Sequence, residues 1–448
     1  IRKIIGIEKD AKYAPLVSFF DEQGGYKLAN YLDAAYKEPV PNQFQKDFIE
    51  ADKKVNLLYS ALSGQILKVF PVPGDKSNKW LSYLEINQPT GTALDSIKNV
   101  MPFYLNAVDK AALSNNYELP NSLLKGVNNY QKKYGKDVML SESKINSEIL
   151  YNKYDIFKRL FYLYMMAGVL MLVFCIVQIF KDSKFVRLSI NFFHGLIGLF
   201  FVMHLAGLAV RWYISGHAPW SNGYESMIYI AWAITLSGII FSKQSHLALA
   251  TTSILTGITL FVAHLSWLEP QITTLAPVLK SYWLTIHVSI ITASYGFLAL
   301  SCLLGLISLV LFIFASPKKE DDNFFKILLS IKESNRINEM AILMGLVFLV
   351  IGNFLGGIWA NESWGRYWGW DPKETWTLIS IIIYSVIIHL KYIKNLMGEY
   401  LLSLLSVIGY FSIIMTYFGV NYFLSGKHSY AAGESVPIPS FVYIALLV

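Results

Sequence analysis

Cysteine is almost absent from this sequence. The 448 residues contain only Cys175 and Cys302, and both lie inside long apolar runs. This excludes a disulfide framework and a CxxC redox pair, so any thiol chemistry has to involve the thiol of a substrate. No signal-peptide pattern precedes the first domain, and the chain begins with Ile1. We therefore interpret the sequence as a fragment or a processed product.

Blocks of like charge are also missing. The net charge is +7, from 38 Lys and Arg against 31 Asp and Glu, but the basic residues are spread among short loops. That distribution argues against nucleic acid as a partner. A composition of 54% hydrophobic and 15% aromatic residues is too apolar for an ordinary soluble protein. The lipid bilayer is the expected surrounding for much of the chain.

Long apolar runs dominate the sequence after residue 158. Eight of them are long enough to cross the hydrocarbon core as helices: 159–180, 186–210, 225–241, 247–265, 283–314, 338–359, 375–394 and 399–423. A ninth run, Pro437 to Val448, begins and stops short. The spacing of apolar residues in 1–157 predicts a mostly helical soluble domain. The predicted fold is mainly α: a polytopic membrane protein with an N-terminal domain (1–157), a connecting helix (158–184) and a membrane domain (185–448).

The basic residues of the short loops predict the orientation. Eleven Lys and Arg occupy one set of loops and five occupy the other, so the first set is expected to face the cytoplasm. The N-terminal domain is then outside, together with the loops 211–224, 266–282, 360–374 and 424–436.

Tryptophan is concentrated on the predicted outer side. Nine of the eleven Trp lie in or beside outer loops, and none lies in an inner loop. The densest segment is the predicted loop 359–376. An interfacial aromatic belt would mark both membrane faces, so the asymmetry favours a platform for a large flat apolar ligand.

Histidines narrow the choice of ligand. His217, His264, His287 and His428 lie at the predicted outer face, and imidazole is the usual axial ligand of haem iron. A single such histidine is more often an ordinary surface residue. His389 lies 13 residues beyond Trp376, about 20 Å along a helix, and so belongs to a separate position in the membrane. A hydrogen-bonded neutral imidazole is the alternative there.

The three remaining histidines carry no predicted ligand role. His194 and His204 share one span but are ten residues apart, which places them on different helix faces. Packing or hydrogen bonding is expected for both. His246 lies in a predicted inner loop.

Four motifs resemble one known family. They are Trp364-Gly-x-x-Trp368-x-Trp370-Asp371-Pro-Lys-Glu, Ser221-Asn-x-Tyr224-Glu225-Ser226, Ile286-His287-Val288 and Gly426-x-His428-Ser-Tyr. They resemble the haem-handling membrane proteins with the tryptophan-rich WWD signature, most closely the fused CcsBA type of system II cytochrome c synthase. The similarity covers residues 185–448, and residues 1–180 resemble the end of the family's first half.

The resemblance implies a site for haem b on the outer face of the bacterial cytoplasmic membrane. His287 and His428 would be the axial ligands of this haem. His389 would be one of two ligands of a haem within the membrane, the other lying in the first half of the family, outside this chain. The residues expected to hold the outer haem are Trp359, Trp364, Gly365, Arg366, Trp368, Trp370, Asp371 and Trp376. Arg366 or Lys373 could meet its propionates.

The activity implied by the resemblance is thioether formation between haem vinyl groups and the Cys-x-x-Cys-His thiols of an apocytochrome c. No catalytic residue is expected, because templating of the reactants supplies the rate enhancement. The partners implied are haem, the apocytochrome and proteins of a thiol-reducing pathway. Two alternatives stay open: a haem exporter without covalent chemistry, and a b-type electron-transfer protein with paired histidines inside its helices.

Overall fold

The computed structural model describes residues 1–8, 10–11, 13–37, 43–86, 97–265, 268, 270–275, 279–315, 322–393 and 398–424. Contacts divide the chain into two compact units, Ile1–Ser141 and Glu142–Val448. The sequence places a domain boundary after residue 157, inside a helix. The division by contacts comes earlier because the helix Glu142–Tyr154 packs on the second membrane helix.

The first unit consists of short helices and one hairpin. Its helices are α1 (Arg2–Ile5), α2 (Ala29–Lys37), α3 (Gln43–Leu62), α4 (Tyr83–Ile86), α5 (Val100–Ser114) and α6 (Glu118–Tyr134), with a 3₁₀ turn at Leu16–Phe19. The antiparallel strands β1 (Lys68–Pro71) and β2 (Trp80–Ser82) form the hairpin. Phe70 and Leu81 from these strands pack with Ile86 and Ile97 in a small buried core.

The second unit is a bundle of long helices. They are α7 (Glu142–Tyr154), α8 (Ile156–Phe180), α9 (Lys184–Ser215), α10 (Gly223–Phe241), α11 (His246–Ala263), α12 (Tyr282–Phe314), α13 (Asp322–Trp364), α14 (Pro372–His389), α15 (Glu399–Ile414) and α16 (Val420–Phe423). A 3₁₀ turn, Leu390–Tyr392, follows α14, and a π-helical segment, Met415–Gly419, joins α15 to α16.

Eight helical segments among the described residues are long and apolar enough to cross a membrane. Each of them overlaps one of the eight predicted spans, with the first and sixth beginning well before the predicted bounds, and the predicted mainly α, polytopic fold is confirmed. The ninth run, 437–448, lies outside the described residues.

Helix α12 lies at the centre of the bundle and packs on α10, α13 and α15. Buried apolar residues of α10 and α12–α15 form one core, and α8–α11 form a second. Buried side-chain hydrogen bonds add to this packing. Asn338 of α13 accepts from Ser301 of α12 at 2.7 Å and donates to Ser406 of α15 at 2.8 Å. Such bonds satisfy polar groups that lipid cannot.

Candidate functional site

His287 lies near the start of α12 with its ring against α13. Its Nδ1–H donates to the Gly352 carbonyl oxygen at 2.7 Å. A Cβ at Gly356 would come within 2.6 Å of His287 Cε1, so glycine at this position makes room for the ring. When Nδ1 of a neutral imidazole carries the proton, the lone pair is on Nε2. Metal-binding histidines commonly have this arrangement, in which a backbone carbonyl orients the ring.

Two tryptophans of α13 continue from His287 toward the end of the helix. The Trp359 ring lies 6.4 Å from the His287 ring, with only 14° between their planes. Trp359 is buried, and Trp364 packs on it at 4.9 Å and 61°. These three rings form one apolar aromatic group, which we call the α13 aromatic group.

The segment predicted as a loop from 359 to 376 is non-helical only between 365 and 371. Helix α13 continues through Trp364 and ends at Gly365, whose φ of 70° is a left-handed conformation that glycine adopts without strain. Helix α14 then begins at Pro372 and contains Trp376, which is partly buried. The tryptophans therefore lie on two helices and the short turn between them.

Asp371 and Glu374 determine where α14 begins. The Asp371 side chain accepts from the Lys373 amide at 3.2 Å, and Glu374 completes a capping box around the helix start. Pro372 occupies the first turn, where its lack of an amide hydrogen costs nothing. The Asp-Pro-Lys-Glu sequence is thus a helix N-terminus, and Asp371 is buried in it.

Glu374 also fixes the backbone on both sides of Trp370. Its Oε2 accepts from the Gly369 amide at 2.8 Å and from the Asp371 amide at 3.2 Å. Between them, Trp370 has a φ of 57°, an unfavourable region for a residue with a Cβ. The Trp370 side chain is 72% exposed and lies 5.7 Å from Trp368, nearly perpendicular to it. The strained turn therefore presents an indole at the surface.

The two candidate propionate partners differ in their surroundings. Lys373 Nζ donates to Asn421 Oδ1 of α16 at 3.1 Å, which ties α14 to α16. The Arg366 guanidinium lies against Gly369, where a Cβ would come within 2.2 Å of Cζ. Arg366 thus covers the turn that contains Trp368 and Trp370, whereas Lys373 already has a polar partner.

A buried ion pair joins the end of α9 to the start of α10. Arg211 Nε donates to Glu225 Oε1 at 2.8 Å, and their side chains are 0% and 1% exposed. Arg211 also donates to the carbonyl oxygens of Pro270 and Gln271, at 2.9 and 3.3 Å. Glu225 Oε2 accepts from the amide and the hydroxyl of Ser221, both at 2.7 Å. One ion pair therefore connects the segments before α10 and before α12.

The other histidines that the sequence places at the outer face are His217, His264 and His428, and the first two take part in local hydrogen bonds. His217 contacts the Ala218 carbonyl at 3.1 Å and the Thr273 carbonyl at 3.4 Å. His264 Nδ1 contacts the Leu260 carbonyl at 2.7 Å. His428 lies outside the described residues, so its role as second axial ligand stays a prediction.

His389 is the last residue of α14 and is exposed at that helix end. Its Nδ1 contacts the Ser385 carbonyl oxygen at 2.7 Å, and its ring lies 6.1 Å from that of Tyr392. His204 is fully buried and contacts the Ile228 carbonyl oxygen at 3.0 Å. Among the described residues, no three His, Cys, Asp or Glu side chains cluster as a metal site would require.

Sequence reasoning missed three parts of this site. Gly352 and Gly356 of α13 lack side chains and so allow α12 to pack closely against them. They are four residues apart, a small-residue spacing that is visible in the sequence. Arg211 is one of the five basic residues of the predicted outer loops, and the charge count gives it no further role. An Arg at the end of one span and a Glu at the start of the next, with a short loop between them, is a sequence signal for a buried ion pair. No sequence pattern predicts that Glu374 accepts hydrogen bonds from the amides on both sides of Trp370.

Comparisons with known proteins agree with the motifs. The profile of the family described as Cytochrome C assembly protein matches residues 220–428. Protein NrfI of Wolinella succinogenes is 42% identical over 443 residues, which cover 98% of this chain and 48% of NrfI. The chain thus spans about half the length of that relative. Cytochrome c biogenesis protein CcsA of Prochlorococcus marinus subsp. pastoris is 34% identical over 274 residues, 56% of this chain and 84% of that CcsA.

A solved structure, cytochrome c heme lyase CcmF, aligns with a TM-score of 0.41 and 14% identity over 58% of this chain and 46% of its own. The match to CcsA covers 84% of that protein, and the family profile spans residues 220–428, which include His287 and the tryptophan turn. The chain belongs to the cytochrome c assembly protein family.

Proposed function

We propose that this protein presents haem b on the outer face of a bacterial cytoplasmic membrane for covalent attachment to an apocytochrome c. The observation that carries this proposal is the orientation of His287 by the Gly352 carbonyl oxygen at 2.7 Å. An imidazole held in this way has its Nε2 lone pair directed by the protein rather than by solvent. His428 is proposed as the second axial ligand.

The aromatic residues fit a porphyrin. In the α13 aromatic group, Trp359 and Trp364 provide an apolar wall beside His287, and Trp368, Trp370 and Trp376 extend it through the turn and onto α14. Aromatic faces bind large flat apolar ligands by burial and stacking. Arg366, which lies over the same turn, is the preferred propionate partner, because Lys373 is hydrogen-bonded to Asn421.

The reaction proposed is addition of two peptide thiols to the two vinyl groups. In each addition the sulfur bonds to the vinyl carbon next to the ring, and the thiol proton is transferred to the terminal carbon. The carbon–carbon double bond becomes single, and no oxidant or reductant is consumed. The protein contributes by holding vinyl and thiol in reactive geometry, which alone can account for a large part of a rate enhancement. The exposed Trp370 edge is where the peptide would approach.

His389 is proposed to bind a second haem, or the same haem at an earlier position. It lies at the opposite end of α14 from the tryptophan turn, 18 residues from Asp371. That separation is about 27 Å along the helix, too far for one porphyrin to reach both positions. The second ligand of this inner haem is expected outside this chain.

Co-expression with an apocytochrome c tests the proposal. The full-length protein is produced in cells that lack their own cytochrome c maturation genes, and covalent haem is detected on denaturing gels by peroxidase staining. Covalent c-type haem is the expected result. Bound haem without covalent product would favour the exporter, and haem that persists in both His287→Ala and His428→Ala variants would contradict the ligand assignment.

A further inference from the structure

A π-helical turn, Met415–Gly419, separates α15 from α16 at the end of the eighth span. Its closing hydrogen bond runs from the Val420 amide to the Met415 carbonyl oxygen, five residues earlier instead of the four of an α-helix. Such turns are rare, and they occur frequently at functional sites. The contacts that this turn makes possible therefore indicate its role.

The π turn brings two side chains to the same neighbouring helix. The hydroxyl groups of Thr416 and Ser380 of α14 share a hydrogen bond at 3.3 Å. Five residues after Thr416, Asn421 Oδ1 accepts from Lys373 Nζ of α14 at 3.1 Å. In a regular α-helix, five residues turn through about 500°, which would direct Asn421 about 140° away from Thr416. Because a π turn rotates less per residue, both side chains reach α14.

A third side chain attaches the turn to another part of the bundle. The Tyr417 hydroxyl donates to the Gly223 carbonyl oxygen, at the start of α10, at 3.3 Å. Helix α16 then ends at Phe423, and Leu424 already has an extended backbone. Side-chain bonds to two helices therefore fix the place from which the chain leaves α16.

Lys373 is an unfavourable residue for the position that it occupies. It lies in the first turn of α14, where the partial positive charge of a helix N-terminus repels a cation. Its side chain is only partly exposed, and the charge of Asp371 offsets part of this repulsion. A residue that weakens its own helix is a candidate for a role other than stability. The contact that its ammonium group makes with Asn421 indicates that role.

The bond between Lys373 and Asn421 lies close, along the chain, to both parts of the proposed outer haem site. Lys373 is three residues beyond Trp370 of the tryptophan turn, and His428 is seven residues beyond Asn421. Seven residues span at most about 24 Å. The bond therefore limits how far His428 can lie from the start of α14.

We propose that Asn421 is a positioning residue of the outer haem site. By accepting from Lys373, it holds α16 against the start of α14 and keeps His428 within reach of the iron. Moving the anchor back to Tyr417 would lengthen the tether of His428 from seven residues to eleven. The effective concentration of a tethered group falls roughly as the −3/2 power of the tether length, which gives a loss of about twofold. The inference rests on the proposed function, in which His428 is the second axial ligand.

The absorption spectrum of haem bound to the full-length protein tests this role. Two histidine ligands give a six-coordinate, low-spin spectrum, and loss of one gives a five-coordinate spectrum that added imidazole reverses. Asn421→Leu keeps the size of the side chain but removes the acceptor. We expect a partly five-coordinate spectrum and half-saturation at an imidazole concentration at least about twofold lower than in the unsubstituted protein. An unchanged spectrum with unchanged imidazole affinity would overturn the proposal.

Two further variants show whether the effect depends on the acceptor. Asn421→Asp keeps an oxygen for Lys373 and should have the spectrum of the unsubstituted protein. Ser380→Ala is the matched control, because it removes the other bond between α14 and the π turn. It should lower the melting temperature but leave the spectrum unchanged. A five-coordinate fraction in Ser380→Ala as large as in Asn421→Leu would contradict a specific role of Asn421.

A double variant separates this inference from the proposed function. In His428→Ala the second ligand is already absent, so adding Asn421→Leu should change neither the spectrum nor the imidazole affinity. A further loss of bound haem in the double variant would show that Asn421 acts on folding, and would overturn the proposal. If His428→Ala has the unsubstituted spectrum, the ligand assignment fails and this inference fails with it. If only Asn421→Leu has that spectrum, the positioning role alone fails.

Discussion

Glu374 holds Trp370 in a left-handed backbone conformation by accepting hydrogen bonds from the amides on either side of it. The carboxylate therefore has two functions, capping α14 and turning an indole outward. Stability and presentation of Trp370 are linked through one side chain, and substitutions at these positions can separate them.

Trp370→Gly and Trp370→Ala should differ in stability but agree in haem binding. Both remove the indole, but only glycine adopts a φ of 57° without strain. We expect the glycine variant to be more stable than the alanine variant by about 1 kcal/mol, and both to retain less haem. Thermal unfolding in detergent and the haem absorption spectrum provide the two measurements. An alanine variant as stable as the glycine variant would show that position 370 is not strained.

Glu374→Ala should lower the stability of the turn by about 1 kcal/mol, because it removes half of the capping box. Haem retention should fall with it, since Trp370 loses its fixed position. Glu339→Ala is the control: Glu339 forms an exposed ion pair with Lys391 at the other end of α14, and such pairs contribute little. Equal effects of the two substitutions on bound haem would indicate that the hydrogen bonds of Glu374 do not fix the position of Trp370.

Gly356→Ala should displace the His287 ring, because the added methyl group would lie 2.6 Å from its Cε1 atom. Loss of the bond to Gly352 removes the orientation of the imidazole, and outer haem retention should fall about tenfold. Gly195→Ala provides the comparison, since a Cβ at this helical glycine of α9 meets no atom within 4 Å. The prediction fails if the two variants bind haem equally and have the same spectrum.

Arg211→Met should destabilise the protein by about 3–5 kcal/mol, because it leaves the buried Glu225 carboxylate without its partner. The double variant Arg211→Met with Glu225→Gln should lose less, since no buried charge remains. Thermal unfolding of both single variants and of the double variant measures the coupling between the two residues. Additive effects would indicate that the ion pair does not connect the segments before α10 and before α12.

The membrane fold could be predicted from the sequence, whereas the detailed site could not. Apolar run length predicted all eight spans, because lipid admits few alternatives to a helix of about 20 residues. The extent of the tryptophan loop was overestimated. Trp359 and Trp364 belong to α13, where Trp359 packs on Trp364 and on His287 of α12, and local sequence does not encode this contact between helices. The role of Glu374 was equally hidden, since its acceptor bonds depend on the conformation of Trp370.

Helix α13 is 43 residues long and contains no proline. Its length is about 64 Å, roughly twice the thickness of the hydrocarbon core. Ser334 and Gly356, which lies against the His287 ring, are both on this helix, about 33 Å apart along its axis. Because the helix is continuous between these two residues, a rotation at one of them is transmitted to the other. A small rotation of α13 about its own axis, imposed near Ser334, would therefore change the surface against which the His287 imidazole packs.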